Sequence, residues 1–197
     1  MRCGLLHNPY LNCNEIVKHY QAPVNYLCAM RILMVCLGNI CRSPLAEGIL
    51  QHKADQQGLN WTVESAGTGN WHTGEAPHHL STKVARLNGM DISHQRARQF
   101  RASDFEEYDF IYVMDSSNYN DVKRMSNHQW DENKVDLLLN ELYPGENRSV
   151  PDPWFGEEDG YHDVFQLIDA ACNKVVERWN QSTTNNQLTD KNQSWRK

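Results

Sequence analysis

Residues 31–44 read Arg-Ile-Leu-Met-Val-Cys-Leu-Gly-Asn-Ile-Cys-Arg-Ser-Pro. The apolar run 32–37 is short and ends at Gly38, a pattern typical of a fully buried strand in a parallel sheet. Ser43 can cap a following helix, and Pro44 suits the first position of that helix. The segment therefore predicts a strand that passes through a tight loop into a helix.

Strands and helices are predicted to alternate along the rest of the chain. In chain order, the further predicted elements are a strand at 61–66, a helix at 79–87, a strand at 109–114, a helix at about 119–125, a strand at 135–139 and a helix at 161–180. This alternation predicts an α/β fold, a three-layer doubly wound sandwich with a four-stranded parallel sheet. Ligands of such sheets bind beyond the carboxyl ends of the strands, where the loop after the first strand lies.

A single domain is predicted over residues 31–180. The chain has 197 residues, of which 40% are hydrophobic and 22% charged, as in an ordinary soluble protein with one core. Residues 1–30 have no clear amphipathic period and are expected to be an extension, either disordered or upstream of the true start. Packing of that segment as an additional helix is the alternative. Residues 181–197 are polar and are expected to form a disordered tail.

The overall charge and the apolar content exclude some classes of function. A formal net charge of -6 argues against a general nucleic-acid binder, because such proteins need clustered Lys and Arg. No apolar run is long enough to span a membrane, and none near the N-terminus suits a signal peptide. We therefore expect no nucleic-acid or membrane partner and a cytoplasmic location, in which the six cysteines are thiols.

The loop at 36–44 has the composition of an anion-binding site. Successive backbone N–H groups and the helix N-terminus attract a dianionic phosphate, and Gly38 lets the backbone approach it closely. Arg42 adds a planar guanidinium that can bond two phosphate oxygens, a geometry that Lys cannot reproduce. Asn39 can bridge backbone groups and hold the shape of the loop. The sequence thus predicts a phosphate loop directly after the first strand.

Cys36 is the predicted nucleophile of this loop. A thiol near a helix N-terminus ionises readily, and its thiolate can attack phosphorus to give a phosphocysteine intermediate. Ser43 can donate a hydrogen bond to the thiolate and to the sulfur that leaves in the second step. These residue types in this order predict hydrolysis of a phosphate monoester.

Asp152 is the predicted proton donor to the leaving group. It lies between two prolines that stiffen the loop before the last helix. Aromatic side chains would supply flat walls for an aryl ring and so favour phosphotyrosine over phosphoserine; they are Trp71, Trp154 and Phe155. Because the reaction needs a thiolate and a protonated carboxyl together, we expect a bell-shaped rate profile centred below neutral pH.

Five motifs follow one another in a fixed order along the chain. They are Cys36-Leu-Gly-Asn-Ile-Cys-Arg-Ser-Pro44, Ser65-Ala-Gly-Thr68 with Trp71, Ile92-Ser-His-Gln95 with Ala97-Arg98-Gln99, Tyr112-Val-Met-Asp115, and Asp152-Pro-Trp154. A cysteine, five residues and an arginine alone would be a weak signal, whereas the full set is strong. Over about residues 31–180 the sequence closely resembles the low-molecular-weight protein tyrosine phosphatases.

The resemblance implies roles for individual residues. It makes Cys36 the nucleophile, Arg42 the phosphate binder and Asp152 the general acid and then the base. The phosphate-binding and supporting residues that it implies are Leu37, Gly38, Asn39, Ile40, Cys41, Ser43, Ser65 and His94. It implies no metal or other cofactor. The implied partner is a phosphotyrosine-containing protein or a small aryl phosphate, bound by a monomer or weak homo-oligomer.

Individual positions refine this resemblance. Ile40 is the residue of tyrosine-directed members, whereas the related arginine phosphatases carry Thr there, so phosphoarginine is a less expected substrate. Trp154 and Phe155 stand where many eukaryotic members have two tyrosines that can be phosphorylated. Trp71 resembles the metazoan-like branch of the family more than the bacterial branch that partners polysaccharide-export kinases.

The other cysteines and the loop histidines have competing interpretations. The family suggests a reversible disulfide between Cys36 and Cys41 that protects the nucleophile from overoxidation, and the alternative for Cys41 is simple burial. Cys172 lies on the apolar stripe of the last helix and is expected to pack in the core. A zinc site is not expected among the loop histidines, His72, His78 and His79.

Two other functions stay open. An arsenate reductase on the same fold would need a pair of accessible thiols downstream of the loop, and only Cys172 follows it. A noncatalytic anion-binding module could keep the loop, but binding alone has no use for a nucleophile and an acid. The expected function is therefore hydrolysis of phosphotyrosine and of small aryl phosphates.

Overall fold

The computed structural model describes residues 29–193, except for the side chains of Phe155 and of residues 180–193. The predicted extension at 1–30 lies outside these residues save for its last two positions, and so does the end of the predicted tail. Within the described part, no helix is both long and apolar enough to cross a bilayer.

Four strands and five α-helices follow one another along the described chain. They are β1 (Met30–Cys36), α1 (Arg42–Gln56), β2 (Trp61–Gly67), α2 (His79–Leu87), α3 (Asp104–Glu107), β3 (Phe110–Val113), α4 (Ser116–Met125), β4 (Val135–Leu137) and α5 (Glu158–Gln193). Two short 3₁₀ helices add Leu138–Glu141 and Pro153–Phe155.

The four strands form one parallel sheet in the order β2-β1-β3-β4. Successive side chains of a strand point to opposite faces, so β1 contributes to two cores. Ile32 and Met34 pack in the core that α1 and α5 also line, whereas Leu33 and Val35 pack with Phe100 on the other face. The predicted fold, a doubly wound sandwich of three layers, is confirmed.

The carboxyl ends of the parallel strands bring three loops to one edge of the sheet. The Thr68 N–H donates to the Cys36 carbonyl over 2.9 Å, which ties the end of β2 to the loop after β1. The Val150 N–H donates to the Met114 carbonyl over 2.7 Å and so anchors the segment before Pro153–Phe155 beside β3. A ligand at this edge would meet residues from all three loops.

The first predicted helix begins differently from the sequence expectation. The capping position of α1 is Cys41, which makes no side-chain capping bond, and Arg42 is the first helical residue. Ser43 therefore lies inside the first turn. Its hydroxyl is fully buried and contacts the Cys36 sulfur rather than capping the helix.

The last helix is longer than the sequence predicts. It begins at Glu158 and continues to Gln193, whereas the predicted helix spans 161–180 and is followed by a disordered tail. No Gly or Pro follows Gly160, so no helix-breaking residue ends α5 within the polar segment. For residues 181–193 the structure gives helix in place of the expected disorder.

Candidate active site

The loop between β1 and α1 depends on two local backbone features. Asn39 has a φ of 57°, a left-handed conformation that Asn tolerates better than most residues. A Cβ at Gly67 would lie 2.8 Å from the Leu37 carbonyl oxygen and 3.0 Å from the Asn39 nitrogen, so only glycine lets β2 approach the loop this closely. The Gly69 N–H completes the junction by donating to Leu37 over 2.8 Å.

Cys36 lies at the base of this loop, and the residue is 3% exposed. The Asn39 N–H donates to it over 3.2 Å, and the Ser43 hydroxyl lies 3.1 Å away. Both groups can donate a hydrogen bond to the sulfur. The Cys36 sulfur thus lies among hydrogen-bond donors at the base of the loop.

Asn39 is the centre of a buried hydrogen-bond network beneath the loop. Its amide nitrogen donates to Ser43 over 2.9 Å and to Ser65 over 2.8 Å, and its amide oxygen accepts from the Arg98 N–H over 2.9 Å. The Ser65 hydroxyl donates onward to Glu47 over 2.6 Å. The structure thus brings together Asn39, Ser43 and Ser65 of the implied supporting residues.

His94 does not join this network. Ile92, Gln95 and Ala97 are buried, whereas His94 between them is exposed. No hydrogen bond joins His94 to Ser65 in the described structure, and the Ser65 hydroxyl donates to the Glu47 carboxyl group instead. Glu47 was not predicted from the sequence, although its position one turn after Ser43 on a predicted helix was a usable signal.

Arg42 is buried, and three acceptors hold its guanidinium. One terminal nitrogen donates to Asp115 over 2.6 Å and to the Val150 carbonyl over 3.2 Å, and the other donates to Asp152 over 2.8 Å. Burial alone would lower the pKa of Arg42, but the negative charges of Cys36, Asp115 and Asp152 raise the pKa overall. Arg42 is therefore a fixed cation beside the sulfur.

Asp115 is a functional candidate to which the sequence analysis gave no role. It follows β3 and caps α4, where one of its oxygens accepts from the Asn118 N–H over 2.7 Å. Its other oxygen holds Arg42. An acidic residue directly after a buried strand, at the ligand-binding edge of the sheet, was the signal that could have found it.

Asp152 lies across the pocket from the loop. One of its oxygens bonds Arg42, and the other accepts from the Trp154 N–H over 3.1 Å at the start of the 3₁₀ helix Pro153–Phe155. Its side chain is 38% exposed, so it can exchange protons with solvent or a substrate. The structure thus brings together Cys36, Arg42 and Asp152.

A cleft of about 250 Å³ opens above the sulfur. Its lining consists of Cys36, Leu37, Gly38, Ile40, Cys41, Arg42, Trp71, His72, Asp152 and Trp154. Trp71 and Trp154 are both exposed at its mouth, as expected for walls that receive a flat ring. A larger groove of about 700 Å³ beside β4 contains no cysteine, so the smaller cleft is the site of interest.

His72, one of the loop histidines, also lines this cleft. Its Nδ1 lies 2.8 Å from a Glu75 oxygen, and its ring lies between those of Trp71 and Trp154, at 6.2 Å and 6.0 Å from their centroids. Within residues 29–193, no three His, Cys, Asp or Glu side chains form a cluster that could hold a metal ion.

Cys41 is buried at the back of the loop. Its sulfur lies 3.6 Å from the Tyr161 hydroxyl, and burial raises the pKa of Cys41 to about 11. Cys36, Cys41 and Cys172 are all free thiols in the described chain. Cys172 is fully buried in α5, and burial raises its pKa as well. The disulfide between Cys36 and Cys41 stays a prediction.

Known proteins resemble this chain in sequence and in fold. Residues 31–187 match the sequence model of the family described as "Low molecular weight phosphotyrosine protein phosphatase". A protein of that name from Schizosaccharomyces pombe is 39% identical over 148 residues, which cover 73% of this chain and 94% of the relative. The crystal structure of YfkJ from Bacillus subtilis has a TM-score of 0.73 at 31% identity and covers 80% of this chain and 98% of that one. The Drosophila arginine phosphatase DARP has a TM-score of 0.70 at 29% identity, with 76% of this chain and 98% of that chain covered.

Proposed function

The chain belongs to the low-molecular-weight phosphotyrosine protein phosphatase family, and we propose that it hydrolyses phosphotyrosine and small aryl phosphates through Cys36. The observation that carries the proposal is the grouping of the Cys36 sulfur, the Arg42 guanidinium and the Asp152 carboxyl around one cleft. Curated relatives from fungi, bacteria and animals have names that describe the same activity.

The first chemical step transfers the phosphoryl group to the enzyme. The Cys36 thiolate attacks phosphorus, an S–P bond forms and the bond from phosphorus to the aryl oxygen breaks. Asp152 in its protonated form gives its proton to that oxygen, so the leaving group departs as a neutral phenol. Arg42 and the N–H groups of the loop stabilise the charge on the transferring phosphoryl oxygens.

The second step releases phosphate and restores the enzyme. Asp152, now ionised, takes a proton from a water molecule that attacks phosphorus, and the S–P bond breaks. The electron pair of that bond returns to sulfur as the thiolate. The hydrogen bond between Ser43 and Cys36 supports this step, because it lowers the basicity of the departing sulfur.

The cleft favours an aryl phosphate over an alkyl phosphate. Trp71 and Trp154 offer two flat apolar surfaces on either side of the entrance, and the exposed Leu37 adds apolar area beside them. Ile40 presents a hydrocarbon side chain to the cleft, which gives a phosphoguanidinium group no hydrogen-bond acceptor. A competition between a phosphotyrosine peptide and a phosphoarginine peptide tests this preference, and faster release from phosphoarginine would refute it.

The proposed reaction also bears on the cellular compartment of the enzyme and on its partners. It needs a reduced Cys36, which a reducing compartment such as the cytoplasm maintains. The partner of the reaction is a phosphoprotein or a small aryl phosphate, and the cleft is complete within one chain, which is compatible with a monomer or a weak homo-oligomer. We place the catalytic domain at 31–180.

An arsenate reductase has less support. Such an enzyme would pass oxidation from the loop to further thiols, and Cys172 is the only cysteine that follows the loop in the sequence. Cys172 is fully buried in α5. The buried position gives it no route to an external reductant.

Hydrolysis of p-nitrophenyl phosphate at mildly acidic pH, without added metal, tests the proposed function. Activity should survive a chelator, disappear in Cys36→Ser and fall in Asp152→Ala, while the control Cys172→Ser keeps most of it. A folded, reduced wild-type protein with no activity would refute the phosphatase assignment. Turnover of arsenate with a thiol reductant would then identify a reductase, and binding of sulfate without turnover would identify an anion-binding module.

A further inference from the structure

Glu47 lies at the far end of the hydrogen-bond network that supports the nucleophile. It projects from α1 one turn after Ser43, and its Oε2 accepts from the Ser65 hydroxyl over 2.6 Å. From there the network passes through Asn39 and Ser43 to the Cys36 sulfur.

The direction of each hydrogen bond in the network depends on an acceptor beyond Ser65. The Arg98 N–H fixes the Asn39 amide with its oxygen toward Arg98, so both hydrogens of the amide nitrogen point to the two serine hydroxyls. Each hydroxyl accepts one of them and must send its own hydrogen elsewhere. Ser65 sends its hydrogen to Glu47.

Ser43 sits at the other end of the network. Since its oxygen accepts from Asn39, its hydrogen can go to the Cys36 sulfur at 3.1 Å or to the Ala66 carbonyl at 3.3 Å. The stronger acceptor of the two is an ionised sulfur. An acceptor at Glu47 is therefore part of what keeps a donor on the nucleophile.

The surroundings of Glu47 make its charge state important. Burial is the main cause that raises the pKa of Glu47 to about 7, and the negative charge of Glu64 on β2 also raises this pKa. The hydrogen bond from Ser65 and the positive charge of Arg98 lower the pKa, but they do not cancel the rise. Its other ionisable neighbours line a pocket of about 370 Å³ between α1 and the segment after α2; they are His52, Asp55, Asp91 and His94. The carboxyl group thus changes charge near neutral pH.

We propose that Glu47 is a positioning residue for the phosphatase reaction, which in its neutral form completes the network and in its ionised form weakens binding of a dianion to the phosphate loop. The inference rests on the proposed function, because the loop is taken to bind a phosphoryl group. A neutral carboxyl still accepts the Ser65 hydrogen through its carbonyl oxygen. An ionised carboxyl places a negative charge behind the phosphate loop, where it repels the two negative charges of a bound dianion.

Binding of inorganic sulfate tests the inference without any need for turnover. Sulfate is a dianion throughout pH 5.5–8.5, so its own charge does not change, and calorimetry gives its affinity for each variant. Glu47→Gln is the matched neutral side chain, because its amide oxygen can accept from Ser65. Asp55→Asn is the control, since it removes a charge from the same helix and pocket without touching the network.

Sulfate affinity should fall between pH 6 and pH 8 in the wild type, and this loss should exceed the loss in Glu47→Gln by a factor of roughly 3 to 10. Asp55→Asn should follow the wild type, and Glu47→Ala, which removes the acceptor, should have a lower kcat at all pH values with its fold intact by circular dichroism. Superimposable pH profiles for the wild type and Glu47→Gln would overturn the inference, as would an equal change in Asp55→Asn. A wild type that binds sulfate with this pH dependence but hydrolyses no aryl phosphate would refute the proposed function alone.

Discussion

Arg42 donates to Asp152 over 2.8 Å from one terminal nitrogen while it donates to Asp115 over 2.6 Å from the other. The cation that should clamp the phosphoryl group therefore also contacts the carboxyl group that should protonate the leaving group. The two aspartates differ in access, because the Asp152 side chain is 38% exposed and the Asp115 side chain is 20% exposed. Asp115 is thus suited to orient Arg42 permanently, and Asp152 to exchange its contact for a substrate.

Asp115→Ala should weaken anion binding more than it slows proton transfer. Without Asp115 the buried guanidinium loses its shortest hydrogen bond and its fixed orientation. We expect kcat/KM for p-nitrophenyl phosphate to fall on the order of 10- to 100-fold, with a parallel loss of sulfate affinity. Asp121→Asn is the control, because Asp121 bonds Thr68 and Arg124 instead of Arg42. Unchanged sulfate affinity in Asp115→Ala would show that Arg42 needs no support from it.

Asp152→Ala should have an effect that depends on the leaving group. A general acid matters most when the departing oxygen is strongly basic, so kcat/KM for phenyl phosphate, which reports the steps up to departure of the phenol, should fall by roughly 10²–10⁴-fold. p-Nitrophenolate is a far weaker base and should suffer a smaller loss. Steady-state rates for a series of substituted phenyl phosphates measure this difference. An equal loss across the series would mean that Asp152 acts through Arg42 rather than as a proton donor.

The sequence predicted the fold well because its signals are local. The alternation of apolar strands and amphipathic helices and the abrupt change at residue 31 sufficed for the four parallel strands, and the predicted helix at 79–87 has the observed bounds of α2. The predicted helix at 161–180 is shorter than α5, because a polar segment without Gly or Pro carries no local signal for where a helix ends.

The residues of the candidate site that were predictable lie in recognisable motifs. Cys36, Asn39 and Ser43 all belong to the same loop, so their spacing sufficed to place them together. Asp115 and Glu47 reach the site from separate elements, and no local pattern says that their carboxyl groups end beside Arg42 and Ser65. These contacts arise from strand order and helix packing, which become visible only in three dimensions.

Cys41 should react far more slowly with alkylating agents than Cys36 does. Burial raises the pKa of Cys41 to about 11, so at pH 7 only a trace of its thiolate is present. As long as the pH stays below this pKa, the thiolate fraction grows about tenfold for each unit by which the pH rises. Iodoacetamide at pH 7 should label Cys36 first, as peptide mass spectrometry can measure. Cys41→Ser should leave the labelling of Cys36 unchanged. In the wild type, labelling of Cys41 before Cys36 would contradict the assignment of the nucleophile.

Glu47→Gln should stabilise the protein at alkaline pH and have little effect at acidic pH. The pKa of Glu47 is about 7 in the folded protein against an ordinary value of 4.5, so between these values the unfolded chain loses a proton that the folded chain keeps. The free energy of unfolding therefore falls as pH rises through this window. By pH 8 it should fall in the wild type by on the order of 1 to 3 kcal/mol more than in Glu47→Gln. Tm from thermal unfolding should favour Glu47→Gln by a few degrees at pH 8 and by almost nothing at pH 4.5, with Asp55→Asn as the control. A Tm difference between wild type and Glu47→Gln that is constant over this range would show that Glu47 does not change charge within it.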